Sequence, residues 1–281
     1  MAARITWTLC ALAQKETMNE IRLPYGLQGS KLRHISDVAS GLACKCFCPC
    51  CGSALVARKG KRVQHHFSHY DSTTCSGSTE TALHLAAKEI LEEAMAITLP
   101  SVNIEFDMYQ RGLEISPSRR FNIDKIQIET RAGSIVPDLI ATVGDRQLII
   151  EIFVTHRVDV EKINRIRKQG VSAIEIDLSG APRDFSRESI TDLVVDEHLN
   201  KIWLFNAVAE FHHKKILASS TRKRILERGG LRVDNCPIRP KAQPYADVIR
   251  ECAYCDHCVE IGSDQDYIQC SPIPIRRTSG T

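Results

Sequence analysis

Residues 136–156 read VPDLIATVGDRQLIIEIFVTH, two apolar runs separated by Gly144-Asp145. Gly followed by Asp suits a two-residue hairpin turn of type II′, with the glycine first. That turn sets the register: Val143 faces Arg146, Ala141 faces Leu148, and Asp138 falls opposite Glu151. Directly opposed residues of an antiparallel pair hold their Cβ atoms roughly 4.5–5.5 Å apart. The hairpin therefore sets two carboxylates side by side on one face of a sheet. Their neighbours are nearly all apolar, the pattern of strands buried on both faces. Two like charges in that setting repel, and a divalent cation with oxygen ligands suits the space between them. On this reading Asp138→Asn relieves repulsion and leaves the fold intact. The plainer alternative is an edge hairpin whose carboxylates both face solvent.

Working outward, VDVEKINRIRKQG reads as a helix closed by Gly170. VSAIEIDLS then reads as an apolar strand. A strand–helix–strand unit of this length implies a parallel pair with a right-handed crossover. Residues 202–205 (IWLF) add a further strand, and residues 102–108 and 123–129 alternate like strands that lead into the hairpin. Residues 79–97, TETALHLAAKEILEEAMAI, form the clearest helix, with Leu83, Ala87, Ile90, Ala94 and Ile97 as its apolar stripe. Glu80, His84 and Lys88 share another face. That face is either a solvated ladder or the border of the carboxylate pair.

The cysteines divide into two groups. Seven of the twelve lie between residues 10 and 75 and five between 236 and 270. In a reducing compartment this density points to metal sites before disulfides. Cys48-x-x-Cys51-Gly52 reads as a zinc knuckle, and a hairpin around Lys59-Gly60-Lys61 returns the chain to it. The favoured tetrahedron is Cys48, Cys51, His69 and Cys75, with His66 competing for a place. The favoured second zinc set is Cys236, Cys252, Cys255 and Cys270, with Cys258 competing against Cys252. Cys10 stands apart and reads as a small buried hydrophobe.

The formal net charge of +3 over 281 residues requires any nucleic-acid footprint to be local. Residues 207–228 read as one long helix ended by Gly229-Gly230. Lys214, Lys215, Arg222, Lys223 and Arg224 make it the most basic stretch, suited to phosphate contacts, unless it is an ordinary solvated face. No run approaches the ~20 apolar residues of a membrane span. The first residues lack the apolar core of a signal peptide, which suggests a cytoplasmic protein without membrane contact. Three segments emerge: a zinc module over 1–78, a core over 79–205, and a basic helix with a zinc ribbon over 206–281.

The order of these features resembles the CoiA-like competence proteins. The resemblance rests on the Cys-x-x-Cys knuckle, HHFSH, a further Cys, Glu80-x-x-x-His84-x-x-x-Lys88, Val-Pro-Asp138, and the apolar strand carrying Glu151. It covers roughly residues 25–205. It implies a PD-(D/E)XK nuclease fold, α/β (α+β), with a restriction-endonuclease-like mixed sheet flanked by helices; the cysteine spacing adds small zinc modules at both ends. It also implies Mg²⁺- or Mn²⁺-dependent hydrolysis of DNA. Asp138 and Glu151 are then the metal-binding carboxylates, and Glu80 the acid on the first core helix. One departure stands out. Such proteins carry Lys, or often Gln, two residues after the Glu, and this chain has Phe153. Lys88 or Lys162 is the candidate to take that role, and His156 is also near in sequence. The rival readings are a catalytically inactive, zinc-containing DNA-binding protein and a scaffold whose zinc modules bind protein.

Overall fold

Alternating apolar and polar residues turn residues 25–69 into one antiparallel sheet. A computed structural model of the protein describes residues 23–275, apart from 72–74, 76, 107–110, 183, 241–242, 244, 263 and 265. Cys10 lies outside the described residues. The chain divides into two units. The first runs through Ala82 and takes in Pro182–Ser186; the second comprises Leu83–Ala181 and continues from Arg187.

In the first unit, β1 (Tyr25–Gln28), β2 (Lys31–His34), β3 (Gly41–Phe47), β4 (Ala54–Arg58) and β5 (His66–His69) pair in the order β2-β1-β3-β4-β5. Leu23, Ile35, Cys44, Cys46, Leu55 and Phe67 belong to its core cluster. The stretch KLRHISDV is strand only through His34; Ile35–Asp37 form a 3₁₀ turn in which the Ser36 N–H donates to His34 Nδ1. Phe185 stacks on Tyr25, with ring centroids 4.8 Å apart.

Helix α1 (Ser78–Ala94) ends three residues before the expected limit. Met95 takes a left-handed φ of +45°, and its N–H still reaches Leu91 O. Ala96 and Ile97 then belong to β6 (Ala96–Leu99), which pairs with β9 (Arg119–Asn122). Pairing with a distant strand outweighs the helical spacing of Ile97, a tertiary override of local propensity. Between them, β7 (Val102–Phe106) and β8 (Arg111–Ser116) form a hairpin. The polar sequences of β8 and β9 gave no strand signal.

The central sheet of the second unit has the order β10 (Lys125–Ile128), β11 (Leu139–Val143), β12 (Arg146–Phe153), β13 (Ser172–Asp177), β14 (Lys201–Phe205). It is mixed: β12 and β13 run parallel and every other pair is antiparallel. In the β11–β12 hairpin Val143 pairs with Arg146, Ala141 with Leu148 and Leu139 with Ile150, the register anticipated from the turn. Gly144 has φ +62° and Asp145 is not among the residues of positive φ, the glycine-first pattern of a type II′ turn. One sheet face carries Leu139, Ala141, Leu148, Ile150, Ile152, Ile174 and Ile176, all buried. The opposite face carries Ile149 and Ala173, packed with Ile166 of α2 (Val160–Gln169). Asp159 caps the start of α2 and Gly170, at φ +68°, closes it.

Helix α3 (Arg187–Thr191) runs into a π turn, Asp192–Asp196, before β14. Helix α4 (Ala207–Ser219) then stops well short of Gly229. The hydroxyls of Ser219 and Ser220 both donate to Ile216 O, satisfying the last turn. Thr221–Glu227 is β15, the centre of a sheet in which β16 (Leu231–Val233), β17 (Ala246–Asp247), β18 (Cys258–Ile261) and β19 (Tyr267–Cys270) follow the order β17-β16-β15-β19-β18. The expected basic helix is thus half helix and half strand. Lys214 and Lys215 stay on α4, whereas Arg222, Lys223 and Arg224 alternate along β15, so Lys223 faces away from the two arginines. Gly229-Gly230 serve the turn between β15 and β16. The fold is mixed α and β, with four α-helices among the described residues.

Candidate active site and candidate metal centre

In the first unit, the Cys48 carbonyl accepts from the Gly52 N–H at 3.0 Å, and the Cys48 N–H donates to Ser53 O at 2.8 Å. This tight turn sets Cys48 and Cys51 side by side. Strand β5 pairs with β4 so that His69 lies opposite Leu55, and it brings His69 Nε2 to 3.3 Å from Cys51 Sγ. The ligand atoms of Cys48, Cys51, His69 and Cys75 all lie within 4.8 Å of one another. Three thiols and one imidazole at that spacing suit a tetrahedral ion such as zinc. Hydrogen bonding to Ser53, aided by Cys48 and His69, pulls the Cys51 thiol down to about 6. Burial, with the neighbouring thiols, pushes Cys75 up to about 12. A cation in the centre would favour all three thiolates together. His66 takes no part: its Nδ1 meets Gln64 O at 2.9 Å.

The C-terminal cysteines are arranged differently. Cys236, Cys252, Cys255, Cys258 and Cys270 share one apolar cluster. Burial and the other four thiols push Cys252 up to about 12. Yet these sulfurs do not converge as the first set does: among the described residues no other group of three or more Cys, His, Asp or Glu ligand atoms lies within 4.8 Å of one another. Among the described cysteines the geometry therefore draws one ligand set together, where the sequence suggested two.

The second site lies at the open end of the β11–β12 hairpin. Asp138 immediately precedes the Leu139–Ile150 pair, so it meets Glu151 across the strands, and its Oδ2 accepts the Ile152 N–H at 2.9 Å. Glu151 is only 4 % exposed. Burial raises its carboxyl above the ordinary range, and the charge of Asp138 pushes the same way, while Lys162 opposes both. Lys162 Nζ lies 2.7 Å from Glu151 Oε1. That contact is an ion pair off the hydrogen-bond direction, for the buried Oε1 receives no directed hydrogen bond. Lys88, 6 % exposed, places Nζ 2.9 Å from Asp138 Oδ1 and 2.9 Å from Glu129 Oε1. Burial pulls the Lys88 pKa down, but Asp138 and Glu129 together hold it above the usual lysine value. His84 Nδ1 is 3.9 Å from Asp138 Oδ2. Glu80 occupies the first turn of α1, one helical turn before His84.

The neighbouring strand adds residues that were not singled out from sequence. Glu175 pairs in parallel register with Glu151, and Asp177 with Phe153. Arg157 bridges them, with Nη1 2.8 Å from Glu175 Oε1 and Nη2 2.9 Å from Asp177 Oδ2. Its guanidinium lies over the Phe153 ring, 4.3 Å from the centroid. The signal was present: Ile-Glu-Ile occurs at 150–152 and again at 174–176, and parallel pairing aligns the two copies. Glu129 carries no such mark. Glu129, Asp138, Glu151, Glu175 and Asp177 thus face Lys88, Arg157 and Lys162, five acids against three bases. By formal charge, His84 left aside, these acids outnumber the bases by two. That surplus fits a divalent cation, although the lysines already meet both carboxylates.

Residues 33–78 match the N-terminal domain of competence protein CoiA. The match supports a CoiA-like protein, and this CoiA-like segment contains all four residues of the Cys₃His centre. Asp138 and Glu151 lie outside it. No curated protein and no solved structure matches the chain. Among the described residues, no helix is long and apolar enough to cross a membrane.

Proposed function

We propose that the chain is a divalent-metal-dependent nuclease acting on DNA, with a zinc-bound N-terminal module. The observation that carries this reading is the opposition of Asp138 and Glu151 on one sheet face, inside a cluster with surplus negative charge. Asp138 and Glu151 would hold Mg²⁺ or Mn²⁺. When bound, such an ion lowers the pKa of its water and polarises a phosphoryl oxygen. The chain's own residues supply the rest. Lys88 and the Ile152 N–H fix the Asp138 carboxylate in orientation. Lys162 Nζ, released from Glu151, stabilises charge on the phosphate and takes the role that Phe153 cannot perform. Phe153 instead forms an apolar floor on which Arg157 rests. A cysteine-bound metal, rather than disulfides, accords with a cytoplasmic setting.

One observation favours a second reading. Each carboxylate already has an ammonium within 2.9 Å, so the pair is not left uncompensated without a divalent ion. A zinc-containing DNA-binding protein without catalysis would need no more. Manganese binding separates the two. The nuclease reading expects one Mn²⁺ per chain, lost in Glu151→Gln with zinc content unchanged. Equal Mn²⁺ uptake by both proteins, or none by either, supports the binder.

A further inference from the structure

A second groove lies at the far end of the central hairpin from Asp138 and Glu151. It is a cleft of about 1040 Å³ within the second unit, bordered by the Gly144-Asp145 turn, β9 and α4. Three aromatic side chains line it: Phe121, Trp203 and Phe211. Trp203 is fixed by its Nε1–H, which donates to Ser101 O at 3.2 Å. Arg119 lies over the Phe121 ring, 4.4 Å from the centroid. Phe211 is 63 % exposed, on a helix whose other face is packed. Arg119, Arg146 and His212 are the basic groups of the lining, and Asp145 is its one acid.

One exposed and two half-buried aromatic rings beside arginines, in a groove with little negative charge, match the chemistry of single-stranded nucleic acid. Each unpaired base offers a π face for stacking, and its phosphate needs a nearby cation. A duplex buries its bases and offers only its backbone to such a groove. We propose that this cleft binds a single-stranded segment of nucleic acid, stacking bases on Phe211 and Phe121 and meeting phosphates with Arg119 and Arg146. The proposal rests on the reading of the chain as a protein that acts on nucleic acid. It deepens that reading by naming the form of the substrate. Arg146 and Glu151 both lie on β12, five residues and about 17 Å apart at the rise of an extended strand, with their side chains on opposite faces of the sheet.

The experiment is a binding titration in EDTA with a fluorescein-labelled oligothymidylate and with a duplex of equal length. Binding is then read apart from cleavage. Phe211→Ala is expected to weaken single-strand binding roughly tenfold, as for loss of one stacking platform. Phe211→Trp keeps the platform and is expected to bind like wild type. Arg119→Ala with Arg146→Ala should flatten the slope of log affinity against log salt by about 0.7 for each arginine removed. Duplex affinity should stay the same in all three. Unchanged single-strand affinity in Phe211→Ala, or an equal loss for the duplex, overturns the proposal. So does a wild-type protein that does not bind the oligothymidylate. Single-strand affinity unchanged in Phe211→Ala, together with metal-dependent cleavage by the wild type, would leave the nuclease reading standing while this one falls.

Discussion

Lys162 Nζ and Glu151 Oε1 form an ion pair at 2.7 Å across the α2–β12 contact. Asp159 makes it possible: its Oδ1 accepts the Lys162 N–H at 2.6 Å, which starts the helix at the point that aims the lysine at the sheet. The pair offsets part of the cost of burying Glu151, and burial still outweighs it.

Lys162→Met should therefore destabilise the protein by about 1–3 kcal/mol near neutral pH, because an uncompensated buried carboxylate remains. The sign follows from Glu151's raised pKa. A raised acid pKa means the folded state keeps its proton longer than the unfolded chain, so stability falls as pH rises through the folded value. Losing Lys162 raises that value further. The deficit of the variant should be small near the ordinary carboxylate pKa and grow toward pH 8. Urea unfolding at several pH values measures it, and a deficit independent of pH would contradict the account.

Asp138→Asn carries the opposite sign from the one suggested by sequence. Two bare carboxylates repel, and removing one relieves the strain; but Lys88 occupies the space and is itself buried. The variant leaves that ammonium with Glu129, which is largely exposed. A loss of about 1–3 kcal/mol is expected in metal-free buffer. A variant as stable as wild type, or more so, would show that the Lys88 contact contributes nothing.

Cys51→Ser should lose the metal of the first unit. Cys51 has His69 Nε2 at 3.3 Å and is one of the four convergent ligands. Elemental analysis of the wild type should give one zinc per chain from this centre, and the variant should fall well below that. Full zinc content in Cys51→Ser would reject the ligand set.

Lys201 supplies a pH signature independent of the site. It is buried on β14 and donates to Leu193 O and Glu197 O at the end of the π turn. Burial pulls its pKa from 10.5 down to about 8. Between those values the unfolded chain binds the proton and the folded chain does not, so stability should rise with pH across that window, by up to about 3 kcal/mol. Lys201→Met should flatten the rise. Parallel pH profiles for the two proteins would contradict the shift.

The parts of this fold legible in sequence were those written locally. Gly144-Asp145 fixed a register, Gly170 closed a helix, and Cys48-x-x-Cys51 with His69 and Cys75 named a ligand set that the fold brings together. What escaped was set by distant partners. Met95 ends α1 because Ala96–Leu99 pair with β9, and Arg222–Arg224 lie on a strand because β19 pairs with them. Glu175 joined the site only through parallel pairing with β12. Phe211, on a segment notable for its lysines, mattered through exposure, which no spacing reveals.

The most direct measurement is cleavage of end-labelled DNA, single-stranded and duplex, with Mg²⁺, with Mn²⁺ and with EDTA, by wild type, Glu151→Gln and Lys162→Met. The account predicts cleavage by wild type only with divalent metal, none by Glu151→Gln, and a rate about 10²–10³-fold lower in Lys162→Met, the scale of a lost charge-stabilising donor. No cleavage by the zinc-loaded wild type under any of these conditions, or cleavage undiminished in Glu151→Gln, would contradict it.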